Sequence, residues 1–201
     1  GDKINNKGII EVSGDPGRAL VERVTNAVDA ILELEHDSHN GQPDCKSPRE
    51  AATAWLNVPR EGLSKLSSAE RRSLAQKVKV TIQKGRTRQY RIFQVRDFGA
   101  GLLPEEMPKT ILSLNESNKL QKHYLAGTYG QGGSATFNVS HLSFIASRKT
   151  GQNKVGFTIV KYQELDPEKY KTGNYVYLTI NDALPVLETD DKVFPAGTLV
   201  R

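Results

Sequence analysis

Helical and strand-like patterns are segregated along this chain, and that segregation limits its architecture more than any other feature. After an N-terminal dozen, "GDKINNKGIIEV", that reads as an arm or edge strand, "SGDPGRALVERVTNAVDAILELEHD" repeats apolar residues at helical spacing. Asp15 or Ser13 can cap this helix, and Pro16 suits its first turn. "SPREAATAWLN" and "SSAERRSLAQK" each open with a serine and carry a glutamate three positions on, a helix-start signal. The strand-like runs come later: "KVKVTIQ" and "QYRIFQVRD" around a hairpin connection "KGRTR", then "HLSFIAS", "KVGFTIVKY" and "NYVYLTIN". Between them "LPEEMPKTILSL" reads as a short helix, "NESNKLQKHYLAGTYGQGG" as a long polar loop, and "SATFNV" as the opening of another helix. Helices first and strands afterwards argue for an α+β two-layer sandwich, one sheet with helices on one face.

A length of 201 residues suits one large domain or at most two small ones, with a substantial core. The expected division is an arm over 1–12 and one domain over 13–201. A start at Gly1 and a lone internal Met107 read as a piece of a longer protein. No apolar run approaches the roughly 20 residues of a membrane span, and no secretory signal is visible. A membrane partner is therefore not expected. The single Cys45 excludes internal disulfides and cysteine-rich metal sites. It points to a reducing cytoplasmic setting, or the nucleus in a eukaryote. Lys and Arg outnumber Asp and Glu 28 to 23, an excess of +5 that suits nucleic acid, phosphate-bearing ligands, or simply a solvated surface.

Three stretches carry chemistry. On the first helix Glu22, Asn26 and Asp29 fall within about 60° of one another at roughly 100° per residue. Leu20, Val24, Ala27, Val28 and Ile31 lie opposite, so one face is expected in the core and the other presents two carboxylates and an amide. Asn and Asp are poor helix-interior residues, which weighs against a plain solvated face. The second stretch, "VRDFGAGL", ends a strand with Asp97 and turns the chain sharply through Gly99 and Gly101. The third is "AGTYGQGGSATF", whose "GQGGSA" fits a dinucleotide-binding glycine pattern. That reading requires a strand directly before the loop and an acidic residue about 20 positions after it. Neither is present, and no Gly-Lys-Ser/Thr follows to make a P-loop.

In this order the stretches resemble the GHKL superfamily of ATP-binding domains, which includes gyrase B subunits, heat-shock chaperones of the ninety-kilodalton class, MutL and sensor histidine kinases. "ERVTNAVDA" looks like the N box, "DFGAG" like the DxGxG box, "GTYGQGG" like the second glycine box, and "FPAGTLVR" like the Gly-Thr segment on a late strand. The resemblance runs from about Val12 to the end of the chain. It implies the Bergerat fold, a mixed and mostly antiparallel sheet covered on one face by helices. It also implies ATP and Mg²⁺ as cofactors. Asp97 would accept from the adenine amino group, with Thr198 supporting through water. Asn26 would hold Mg²⁺, and Glu22 would deprotonate the attacking water. Asp29 would position neighbours. Gly127, Gly130, Gly132, Gly133 and Ser134 would form a phosphate-gripping lid, with Gly99 and Gly101 shaping the adenine end. Lys119, Lys122 and His123 would approach the phosphates from the lid, or remain solvated.

The resemblance implies an ATPase whose lid closure drives homodimerisation, or engagement of a protein or nucleic-acid partner. Two alternatives stand beside it: a histidine-kinase-type catalytic domain, and an ATP-sensing module without turnover. Glu22 favours the ATPase, because histidine kinases carry asparagine at that position. In the gyrase and MutL branches a lysine from a following domain completes the site, so slow hydrolysis is expected of this chain alone. One departure stands out, an apparent helical insert at about 37–77 that fits no named branch. MORC-like ATPases or the ATPases of bacterial defence systems are further candidates. Arg49, Arg60, Lys65, Arg71 and Arg72 of the insert could meet an acidic partner or face solvent, while Trp55, Leu56 and Leu63 are expected to pack it on the body. His36, His39 and Cys45 fit no standard metal spacing.

Overall fold

Among the described residues the hairpin, the late strands and the chain's last residues assemble into one seven-stranded sheet in which every pairing is antiparallel. The computed structural model describes residues 16–87, 90–113, 122–126, 136–137, 139–163 and 174–201. Strands β1 (Val78–Lys84), β2 (Arg91–Asp97), β3 (Leu142–Arg148), β4 (Lys154–Gln163), β5 (Asn174–Tyr177), β6 (Val186–Glu188) and β7 (Gly197–Val200) follow in chain order. Their spatial order is β1-β2-β7-β3-β4-β5, with β6 also paired to β4. The last strand is thus wedged into the middle of the sheet. β7 sets Leu199 opposite Arg96 of β2, and Thr198 opposite Ser147 of β3.

Helix α1 (Pro16–Ser38) lies against β2 and β1, and α2 (Pro48–Leu56) packs on α1. The start signals work as expected. Ser47 caps α2 by accepting from the Glu50 N–H, Pro48 sits in its first turn, and Asn57 ends it in the left-handed conformation. Helix α3 (Ser68–Ala75) begins with a full capping box between Ser67 and Glu70, whose hydrogen bonds hold the Glu70 carboxyl below its ordinary range. Asp15 and Ser13, proposed to cap α1, lie outside the described residues.

Two expectations about helices need correction. "LPEEMPKTILSL" forms only a 3-10 turn at Met107–Lys109 flanked by turns. Pro108 has no N–H to continue an α-helical ladder. The apolar stripe of α1 is also displaced. Leu20 and Val24 are half-buried and Val28 is 41 % exposed, while Ala19, Arg23, Ala27, Asp29, Ile31 and Leu32 are buried. The reason is that the polar side of α1 is also covered by protein: residues 122–126 and Thr136 reach it.

The main core gathers Met107, Leu112, Phe137, Ile145, Val160, Tyr175 and Leu184 between the sheet and its covering segments. A second cluster joins Leu32 of α1 to Cys45, Ala51 and Trp55 of the α1–β1 connection and to Tyr124 and Leu125. Trp55 is nearly fully buried and donates its indole N–H to the Gln42 carbonyl at 3.0 Å. The expectation that Trp55 and Leu56 pack the insert on the body holds. Leu63 is exposed instead.

Candidate functional site

The turn after β2 is shaped by how closely other backbone approaches it. Ala100 donates its N–H to the Ala30 carbonyl of α1 at 2.9 Å. A Cβ on Gly99 would lie 2.4 Å from that same carbonyl. Gly101 has φ +64°, and a Cβ there would come within 2.0 Å of the Arg148 carbonyl oxygen. The two glycines therefore let α1 and the end of β3 close on the residue that precedes them.

That residue is Asp97, only 5 % exposed. The N–H groups of Gly99 and Thr198 both donate to its Oδ1, at 3.0 and 3.1 Å. Among the described residues no other residue donates a hydrogen bond to Oδ2. Burial pushes the carboxyl up from its ordinary 3.8 to about 6, although the N–H groups of Gly99, Thr198 and Asp97 itself and the Arg96 guanidinium oppose the shift. The site thus holds an acceptor whose charge is poorly compensated.

Around Asp97 opens a cavity of about 340 Å³, within the usual range for a small-molecule site. Thr198 lines its floor, backed by a 2.9 Å hydroxyl hydrogen bond with the buried Ser147, whose Oγ also accepts the Leu102 N–H. Val95, Val200, Leu102 and Ile111 give it apolar walls. The opposite wall is α1, which contributes Arg23, Asn26, Ala27, Asp29, Ala30, Glu33 and Asp37. Apolar space, the buried Asp97 carboxylate and a polar helix face therefore meet in one place.

A family profile described as histidine kinase-, DNA gyrase B- and HSP90-like ATPase matches residues 15–177. The chain belongs to that family. As a GHKL-type domain it binds ATP, and its sheet and helices form the α+β sandwich of that fold. No curated protein sequence matches the chain significantly. The profile match stops before β7, yet this strand brings Thr198 to Asp97 across a sequence separation of 101 residues.

In this ATPase domain the expected site residues separate into groups. Asp97, Gly101, Thr198, Asn26 and Asp29 all line the cavity, and Gly99 sits against α1 beneath it. Glu22 is half-buried one turn before Asn26 and does not border the cavity among the described residues. Gly127, Gly130, Gly132, Gly133, Ser134 and Lys119 lie outside the described residues. Asp29 is 1 % exposed and accepts the Ala126 N–H at 2.7 Å, so it ties down the segment leading into the glycine-rich stretch. Burial acts to lower the Lys122 ammonium's pKa, but its pairing with Glu33, aided by Tyr124 and Asp37, raises it overall. His123 is exposed.

Sequence reasoning missed several wall residues. Glu106, Lys149 and Tyr124 carry no local motif, and only the fold brings them to the cavity. Lys149 bonds Glu106 at 2.7 Å. Tyr124 stacks on His36 at 4.5 Å, and Trp55 meets both rings edge-on. His39 also stacks on Trp55, with ring centroids 6.3 Å apart, so both imidazoles belong to the aromatic cluster. Among the described residues no three His, Cys, Asp or Glu gather into a metal cage. Among the described residues no helix is long and apolar enough to cross a membrane.

Proposed function

We propose that this domain binds Mg²⁺-ATP in the cavity beside Asp97 and hydrolyses it, with the cycle coupled to lid closure and to dimerisation or partner engagement. The observation that carries the reading is the open Oδ2 of a buried carboxylate at the end of an apolar slot. Adenine offers an amino group to such an acceptor; guanine offers a carbonyl oxygen at the corresponding position and would leave the carboxylate facing another acceptor. A buried polar group left unmatched costs about 1–3 kcal/mol, which suffices to discriminate the two bases. The Thr198–Ser147 hydroxyl pair supports a water beside the ring.

Asn26 fits Mg²⁺ as a single amide-oxygen ligand, because this ion keeps most of its waters and takes few protein ligands. Bound there, it would neutralise phosphate charge. Glu22, one helical turn away, is the general base for the attacking water. A carboxylate at that position supports hydrolysis over transfer of phosphate to histidine. Calorimetry with ATP, GTP and a non-hydrolysable ATP analogue, each with and without magnesium, tests binding, and release of free phosphate tests turnover. Equal affinity for ATP and GTP would sink the adenine assignment. A stable phosphohistidine without free phosphate would favour the kinase alternative.

A further inference from the structure

The cavity wall formed by α1 is electrically polarised, and the polarity has a consequence for how a nucleotide lies in it. Ala30 marks the purine end, because its carbonyl holds the turn after Asp97. Toward the C-terminus of α1 the cavity is bordered by Glu33, Asp37 and Glu106, three carboxylates against the two ammoniums of Lys122 and Lys149. Both ammoniums are already engaged, Lys122 by Glu33 and Lys149 by Glu106. Toward the N-terminus of α1 the wall carries Asn26 and then Arg23. Arg23 is 2 % exposed, donates to Thr136 Oγ1 and lies 5.7 Å from the Phe137 ring centroid.

We propose that Arg23 is the principal phosphate-binding residue of this domain and that it orients ATP with its triphosphate toward the N-terminus of α1. The inference rests on the ATP reading above. Two helical turns separate Arg23 from Ala30, about 10 Å at 1.5 Å per residue, a span that a triphosphate extending from the purine end can bridge. A polyanion sent the other way would meet the carboxylate-rich end. Guanidinium is the side chain best shaped to take phosphate oxygens in pairs, and it is more weakly hydrated than ammonium, which suits a buried position. Burial draws the Arg23 pKa down to about 10, so the group still carries its charge at neutral pH and faces a low-dielectric surrounding that strengthens attraction to an anion. The assignment also gives Lys122 a different place from the one the lid motif suggested, with its charge held at the acidic end.

Comparison of adenosine and ATP affinities by calorimetry tests this on wild type and on Arg23→Gln, Arg23→Lys and Lys122→Ala. Adenosine reports the purine end alone, so the ratio of ATP to adenosine affinity isolates the phosphate contribution. Charge-assisted hydrogen bonds are worth about 1.5–3 kcal/mol, so Arg23→Gln is expected to lower that ratio by about tenfold or more. Arg23→Lys keeps the charge and is expected to lose less, and Lys122→Ala is expected to leave the ratio within about twofold. Unaltered adenosine affinity in each variant certifies the fold; if Arg23→Gln loses it, Arg23→Lys and Lys122→Ala decide between the two cations. A ratio unchanged at Arg23, or collapsed by Lys122→Ala instead, overturns the proposal and leaves the ATP reading standing. A wild-type protein that binds neither ligand overturns the ATP reading and this inference with it.

Discussion

Replacing Asp97 by asparagine should stabilise the nucleotide-free protein while removing its affinity for adenine. Burial raises the Asp97 carboxyl from 3.8 to about 6, which means that the folded protein disfavours the ionised form. The size of the rise corresponds to about 3 kcal/mol of lost stability once the group is ionised in both states. Water entering the cavity reduces this, so about 1–3 kcal/mol is expected. The sign follows from proton binding. Between 3.8 and 6 the folded state holds a proton that the unfolded state has released, so stability declines as pH rises through that window and is constant above it. Asparagine keeps an oxygen to accept the Gly99 and Thr198 N–H groups but carries no charge. It also presents an amino group where adenine would present its own, so binding is lost. Urea denaturation of both proteins between pH 5 and 8 is the assay. The variant should be the more stable at pH 7, by an amount that shrinks toward pH 5. In a chain of this size the gain should raise Tm by about 2–4 °C per kcal/mol. A variant less stable than wild type at pH 7, or a difference independent of pH, would refute the reasoning.

Other outcomes follow from the same geometry. ATP affinity should weaken as pH falls below about 6, because protonation of Asp97 removes the acceptor; a pH-titrated binding isotherm that stays flat from 7 to 5 contradicts this. Gly101→Ala combines a left-handed φ with a Cβ driven into the Arg148 carbonyl, and should lose about 2–4 kcal/mol in chemical denaturation. Unchanged stability would mean that the turn differs from the one described. Trp55→Ala empties the cluster between insert and α1 and should cost about 3–5 kcal/mol. It should also speed hydrogen exchange at the Ala126 amide, since Tyr124 loses the ring that backs it. Glu22→Ala should leave ATP affinity near wild type and abolish phosphate release; retained turnover would move the general base elsewhere.

Features written in short stretches of sequence were legible before the structure was described. The caps at Ser47 and Ser67 depend on residues three apart, and Asp97 announces itself by ending a strand before two glycines. Thr198 was legible through the Gly-Thr segment of the family resemblance. What escaped was decided by distant contacts. Periodicity expected Val28 inside and gave Arg23 no role, because it could not register that both sides of α1 meet protein. Val21 is 64 % exposed for the same reason, with the buried ridge rotated away from it. Strand β6 is three residues long and lies in a turn-rich stretch, too short for an alternating pattern to emerge. The Ser147–Thr198 pair exists only because β7 inserts between β2 and β3. A sheet order of that kind has no local signature. Lys122 read either as a phosphate contact or as a solvated charge beside the glycine-rich stretch, and neither reading could foresee its pairing with Glu33, on a helix far earlier in the chain.

A crystal structure with a non-hydrolysable ATP analogue and magnesium tests the central claim most directly. The account predicts the adenine amino group within hydrogen-bonding distance of Asp97 Oδ2, a water on the Thr198–Ser147 pair, and the triphosphate running along α1 toward Asn26 and Arg23. Adenine bound away from Asp97, or phosphates directed to Glu33 and Lys122, would contradict it.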